Sequence, residues 1–269
     1  MSATWHSDDI PETPPIGPAG WLRVLARGVT LGAVTYGGLL LLLAVRLVEW
    51  PWGRPVTPHI TQLVCKAAFV ILGIGFSVRG APMRHRGAVV ANHASWLDIF
   101  TLNAPQRIFF VSKAEVRGWP GIGWLARATG TVFIERNRNH ARRQKEEFEA
   151  RLRRGDKLLF FPEGTSTDGV RVLPFKSTLF AAFFAPEIVD FMHVQPVTVV
   201  YHPPPGTDPR FYGWWGDMDF GRHLLTVLAA PRQGAVEVVF HEPVKVSEFP
   251  HRKALTLYCE ARVREGLDL

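Results

Sequence analysis

The stretch GAVVANHASWLDIF, residues 87–100, passes from a short apolar run through a polar segment into a second apolar run. GAVVA reads as a strand, and Ser95 with Asp98 three residues later reads as a capping box that starts a helix at Ser95 and carries it to about Asn103. Asn92 and His93 are then left in the loop between the two. On a regular helix, residues five apart are rotated by roughly 140°, so His93 and Asp98 can meet only because the histidine precedes the helix. From the loop its imidazole can fold back over the first turn onto the Asp98 carboxylate. Such a pair suits general-base catalysis. The carboxylate fixes the tautomer and steadies the imidazolium formed when the other ring nitrogen takes a proton from a hydroxyl. The plainer reading makes Asp98 a helix cap and His93 a polar loop residue.

Further along, KLLFF (157–161) runs straight into PEGTST (162–167), which delivers Glu163 and the amides of Gly164 and Thr165 to a second strand end. Loops at strand ends form the binding crevice of an α/β sheet. Gly164 lets a backbone approach a ligand closely, and its amide could serve as an oxyanion donor. Between the two segments, TVFIERNR (131–138) ends a strand at Ile134 and offers Arg136 and Arg138 to a phosphate. Other strand candidates are RIFFVS (107–112), VQPVTVVY (194–201) and AVEVVF (235–240). Helical candidates cover about 139–154, 177–184, 219–230 and 250–265. Strands alternating with helices predict an α/β fold with a mixed, largely parallel sheet flanked by helices.

The amino-terminal part differs. Residues 1–20, acidic and Pro-rich, read as a disordered leader without the basic start of a secretory signal. Val29–Val45 then gives 17 residues without charge, including five consecutive leucines. That is the low edge of spanning length, and a run with no polar face is hard to place in a small soluble core. A second apolar run, Ala67–Val78, is 12 residues long and too short to cross alone. With EWPWGRP as the turn and Trp50 and Trp52 at headgroup depth, the two runs predict a hydrophobic two-helix membrane motif over 21–79. The α/β domain then occupies 80–269.

The chain has 269 residues, 31 of them basic and 24 acidic, a net charge of +7 that favours an anionic partner. Nine basic residues against four acidic ones fall between Arg136 and Lys157. That cluster suits a solvated helix with internal ion pairs, or a docking surface for lipid headgroups, an acidic acyl carrier protein or coenzyme A phosphates. Nucleic acid would rest on charge alone, and the apolar leading segment argues against it. Cys65 and Cys259 are isolated, so neither a disulfide framework nor a zinc site is expected, and a reducing cytosol fits.

The four blocks NHASWLD, FIERNR, FPEGTST and VQPVTVVY, in this order and with these gaps, resemble those of the glycerolipid and lysolipid O-acyltransferases. That family is typified by the bacterial 1-acylglycerol-3-phosphate acyltransferases. The resemblance covers about residues 85–245. It implies that His93 is the base removing the acceptor hydroxyl proton, with Asp98 as its partner. It further implies that Arg136 binds the acceptor's anionic headgroup, that Glu163, Gly164 and Thr165 order the acceptor, and that Pro196 shapes the acyl-thioester side. No metal, cofactor or acyl-enzyme is implied: acyl-CoA or acyl-ACP is a co-substrate, and the partners are membrane lipid and a lysolipid acceptor. No GxSxG elbow is present. The implied place is the cytoplasmic (inner) membrane, with the catalytic domain facing the cytosol. One departure matters: Ser166 stands where lysophosphatidate enzymes often carry Arg, which removes a fixed positive charge from the headgroup site. The text FPEGTSTDGVRVLPFKSTLF and FYGWWGDMDF resembles the bacterial branch that acylates lyso-ornithine lipid, some members of which also accept lysophosphatidate, so the implied acceptor is lyso-ornithine lipid and/or 1-acylglycerol-3-phosphate. A catalytically silent lipid-binding protein and an acyl ester or thioester hydrolase are the alternatives.

Overall fold

A computed structural model describes residues 4–7, 9–11, 13–52, 55–134 and 141–268. In chain order, α1 (Pro18–Glu49) and α2 (Thr57–Leu72) precede β1 (Gly75–Arg79), β2 (Gly87–Ala91), α3 (Asp98–Asn103) and β3 (Phe109–Lys113). Then come α4 (Ile122–Thr129), β4 (Val132–Ile134), α5 (Ala141–Arg153), β5 (Leu158–Phe160) and β6 (His193–His202). The chain closes with α6 (Phe220–Ala229), β7 (Ala235–Phe240), β8 (Val244–Lys245) and α7 (Arg252–Glu265). The strands form one sheet in the order β1-β7-β6-β2-β5-β3-β4, with β8 paired to β6 beside β7. Pairing is parallel except where β7 and β8 meet β6, so the sheet is mixed and largely parallel, as the alternation of strands and helices predicts.

All five residues of β2 are buried, because this central strand is covered on both faces. Val89 and Ala91 point into one core with α1, α2, α3 and α6. Ala88 and Val90 point into the other, with α5, α7 and the 3-10 turn at Leu179–Phe184. Fully buried Leu72, Leu97, Leu102 and Leu159 in the first core each contribute about 1.5–3 kcal/mol relative to an exposed side chain.

The leading helical motif departs from expectation at both ends. The second apolar run is not one helix: α2 stops at Leu72, where Gly73 takes φ 75° and its amide reaches back to the Phe69 and Val70 carbonyls. The rest of the run enters the sheet as β1 against β7, so the α/β unit begins before residue 80. Residues 18–20 already form the first turn of α1. Of the stretch before them, expected to be a leader without order, two described residues meet the α/β domain: the Trp5 amide donates to Thr165 Oγ1, and Asp9 pairs with Arg210 at 3.2 Å.

α1 is the one described helix long and apolar enough to cross a membrane. Its 32 residues span about 48 Å. One stripe, Leu31, Thr35, Leu42 and Glu49, is buried, while Leu22, Leu40, Leu47 and Val48 are exposed. The buried side is held by specific contacts. Arg23 Nε donates to the Ala229 carbonyl (2.7 Å), and Arg27 donates to Leu228 (2.9 Å) and Ala230 (2.7 Å), capping the end of α6. A side chain at Gly38 would collide with Val64, so this glycine sets how closely α2 packs. The Glu49 carboxylate accepts the Val56 and Thr57 amides (2.9 and 3.2 Å) and fixes the start of α2. Trp52, in the turn, is exposed.

Residues 141–153 of the basic segment form α5, with Phe148 and Leu152 buried on one face. Arg151 and Arg154 both pair with Asp156, and Arg151 lies 4.5 Å from the Phe109 ring centre. Ion pairing within the segment accounts for these two cations.

Candidate active site

β5, β2 and β6 run parallel side by side, so the loops after Phe160 and Ala91 and the end of β6 emerge at one edge of the sheet. The Asn92 side chain extends the β2–β6 ladder, donating to the Val199 carbonyl (3.0 Å) and accepting its amide (2.8 Å). His93 follows. Its carbonyl accepts the Thr167 amide (2.8 Å), and its own amide donates to Glu163 Oε1 (2.7 Å). Glu163 Oε2 accepts the Leu173 amide at 2.8 Å. The buried Glu163 side chain thus staples the two loops together. The His93 ring stacks on Phe161 with centroids 4.0 Å apart.

His93 Nδ1 donates to Asp98 Oδ2 at 2.7 Å, the contact expected from their spacing. The same oxygen accepts the Ala94 and Ser95 amides (2.9 and 3.0 Å), while Ser95 Oγ accepts the Leu97 amide (3.3 Å). The expected capping box is thus only half formed: Asp98 accepts the Ser95 amide, but Ser95 Oγ takes the Leu97 amide and not that of Asp98. The first turn is of 3-10 type, with the Asp98 amide on the Ser95 carbonyl, and regular helix begins at Asp98 rather than at Ser95. The Asp98 side chain is fully buried, whereas that of His93 is 25% exposed. With Nδ1–H held by the carboxylate, Nε2 is the nitrogen left to take a proton.

Sequence reasoning missed Tyr201. At the far end of β6 its hydroxyl donates to Asp98 Oδ1 at 2.7 Å and lies 3.2 Å from Thr101 Oγ1. Burial and the adjacent Asp98 carboxylate hold its phenol well above the usual range, so it remains a donor. The fourth sequence block ends on this tyrosine, but only the β2–β6 adjacency brings it to Asp98. Trp96, inside the first block, donates Nε1–H to His223 Nδ1 (2.9 Å) on α6. Burial pushes His223 down to about 4, which keeps it neutral and able to accept.

The remaining expected residues divide. Arg136 and Arg138 lie outside the described residues. Glu163 is at the site, yet both oxygens accept backbone amides, so what it orders directly is the His93 loop. The Gly164 amide is not the oxyanion donor expected: it donates to the Phe161 carbonyl (3.0 Å) and closes the turn. The glycine itself is required there, with φ 74° and Lys176 Nζ 3.0 Å from where a Cβ would stand. Lys176 thereby brings a cation to this turn that the motif reading did not assign. Thr165 is buried beneath Trp5. Pro196 is buried within β6, opposite Val90, at the point where the partner of β6 changes from β8 to β7. A missing N–H is tolerated at such a break. Among the described residues no group of three or more His, Cys, Asp or Glu side chains comes together as metal ligands do.

Burial raises the Glu163 carboxyl to about 8; its two backbone hydrogen bonds oppose the shift, and the Asp98 charge adds to it. In the unfolded chain the group titrates near 4.5. The folded state therefore binds the extra proton between these values. Its stabilising contribution is complete below about 4.5 and is lost as pH rises through 8. Glu163→Gln, permanently neutral, is expected to flatten this part of the unfolding-temperature profile between pH 5 and 9. An unaltered slope in the variant would show that Glu163 does not titrate in this window.

Residues 76–200 match the family model described as Acyltransferase. The lyso-ornithine lipid O-acyltransferase of Rhodobacter capsulatus is 58% identical over 98% of this chain and 96% of its own. The 1-acyl-sn-glycerol-3-phosphate acyltransferase of Neisseria gonorrhoeae is 42% identical over 43% of this chain and 46% of its own. In fold, the chain is similar to the crystal structure of the 1-acyl-sn-glycerophosphate (LPA) acyltransferase of Thermotoga maritima. Their TM-score is 0.68 at 24% identity, covering 93% of this chain and 95% of that one.

Proposed function

The chain belongs to the acyltransferase family, and from that premise we propose that it transfers a fatty acyl chain from acyl-ACP or acyl-CoA to the hydroxyl of lyso-ornithine lipid. The observation that carries the chemistry is the His93–Asp98 pair, with Nδ1–H held by a buried carboxylate and Nε2 left free to act. In the reaction, Nε2 accepts the acceptor's hydroxyl proton as that oxygen attacks the thioester carbonyl. The new C–O bond forms, the C–S bond breaks, and the proton passes from Nε2 to the departing thiolate. Asp98, whose oxygens accept from the His93 ring, two backbone amides and the Tyr201 hydroxyl, offsets the positive charge on the imidazolium while the proton resides there. A thioester is already activated, so the chain needs no nucleophile of its own.

The choice of acceptor is supported by the similarity of the whole chain to lyso-ornithine lipid enzymes and by Ser166 in place of a phosphate-binding arginine. Membrane association is supported by the exposed apolar side of α1, and the cytoplasmic face of the inner membrane is proposed as its place. Arg136 is proposed as a further headgroup contact. The test offers purified protein lyso-ornithine lipid and lysophosphatidate in parallel, each with acyl-ACP and with acyl-CoA. Diacylated ornithine lipid should form faster than phosphatidate. Release of free fatty acid without a new diacyl lipid would identify a hydrolase instead. Binding to vesicles with no turnover would identify a silent lipid-binding protein.

A further inference from the structure

The loop that lacks an arginine at Ser166 has one at Arg171, and its geometry is that of a prepared ligand. Arg171 Nε lies 3.1 and 2.9 Å from the two Asp168 oxygens, and NH2 lies 2.8 Å from Oδ2. This side-on pairing uses one edge of the guanidinium and leaves three N–H groups directed away from Asp168. The Asp168 side chain is fully buried, whereas that of Arg171 is 50% exposed. The Trp5 ring covers one guanidinium face, 5.0 Å from Cζ. Pinned on one edge and stacked on one face, the cation loses little freedom on taking a further partner.

The loop is also in the right place. The Thr167 hydroxyl lies within hydrogen-bond distance of both the His93 carbonyl (3.2 Å) and the Arg171 carbonyl (3.3 Å). Gly169 packs against Ala94, next to the catalytic histidine.

We propose that Arg171 binds the carboxylate of the acceptor's ornithine headgroup and, with Asp168 behind it, sets the preference for this headgroup over a phosphate; this rests on the reading of the acceptor as lyso-ornithine lipid. An ornithine carboxylate carries one negative charge. A phosphate monoester carries about 1.5 to 2 at neutral pH. The Arg171–Asp168 pair is neutral as a whole, so it offers hydrogen bonds suited to a monoanion while the fixed carboxylate opposes the second charge of a phosphate.

The test uses the full chain in mixed micelles with three acceptors: lyso-ornithine lipid, the same lipid with its carboxylate converted to a primary amide, and lysophosphatidate. Arg171→Gln is expected to raise KM for lyso-ornithine lipid by about ten- to a hundredfold, the size of a lost charge-assisted hydrogen bond, with kcat within about threefold. The amide acceptor should show a raised KM with the wild-type protein already, and Arg171→Gln should raise it no further. Arg171→Lys should recover part of the loss. Equal increases for acid and amide would overturn the assignment, as would a fall in kcat shared by all three acceptors. Should Arg171→Gln not fold, the wild-type comparison of acid with amide decides, because equal KM values for the two overturn the proposal. A wild-type protein that acylates lysophosphatidate but not lyso-ornithine lipid would overturn the acceptor reading itself, a result distinct from failure of the Arg171 variants.

Discussion

Replacing His93 by alanine is expected to lower kcat by roughly 10²–10⁴, the usual worth of a positioned general base, with membrane attachment unchanged. Among the described residues at this strand end the imidazole is the expected proton acceptor, since Asp98 is fully buried and Glu163 binds backbone amides with both oxygens. Its backbone contacts to Glu163 and Thr167 do not involve the side chain, so the loop should keep its path in the variant. Truncation does remove the stacking partner of Phe161, and a fall of a few degrees in unfolding temperature is expected on that account. Initial rates of diacyl lipid formation, with liposome co-sedimentation as the control for attachment, provide the check. Turnover within a factor of three of the wild type would remove His93 from the chemistry.

Asp98→Asn should lower kcat by about 10² with little effect on KM, because the residue acts through the imidazole and not on the acceptor. The direction of the amide matters. Asp98 Oδ2 accepts three N–H groups and Oδ1 accepts one hydroxyl, which Thr101 could also engage. An asparagine therefore places its oxygen toward His93, Ala94 and Ser95 and its NH₂ toward Tyr201. The opposite placement would set two donors against three. The histidine tautomer is thereby kept and only the negative charge is lost. The effect should then be smaller than the roughly 10⁴ that follows when an asparagine imposes the wrong tautomer. Since the two residues act as a unit, the double variant His93→Ala with Asp98→Asn should be no slower than His93→Ala alone. Multiplicative losses in the double variant would mean that Asp98 contributes by a separate route.

Where burial alone dictates a strand, its limits were legible: β2 and β7 span the residues expected, and β6 differs by one residue at each end. The spacing of His93 and Asp98 likewise revealed their contact, because helix geometry leaves one way for them to meet. β1 was hidden inside an apolar run that reads as helix throughout. Its signal was Gly73 followed by Gly75, a left-handed stop and then a close approach to Ala235. α4 escaped because it is short and bounded by glycines that look like loop. Tyr201 and the clamp by Glu163 depend on which strands are neighbours, and a single sequence does not encode strand order locally. Burial also altered roles. The Gly164 amide is at the expected place, but the turn that brings it there consumes its only donor.

The arginine clasp between α1 and α6 joins residues 201 to 206 positions apart. A ribosome releases the apolar hairpin long before it releases the carbonyls that Arg23 and Arg27 hold, and domains form in the order of their synthesis. The nascent hairpin must therefore find its surroundings while the enzyme body is still unmade. The catalytic half is then assembled onto an anchor already in place, and Tyr201 completes the proton-handling cluster only after β6 has emerged. Competence thus arrives late, after the apolar helices have already found their place.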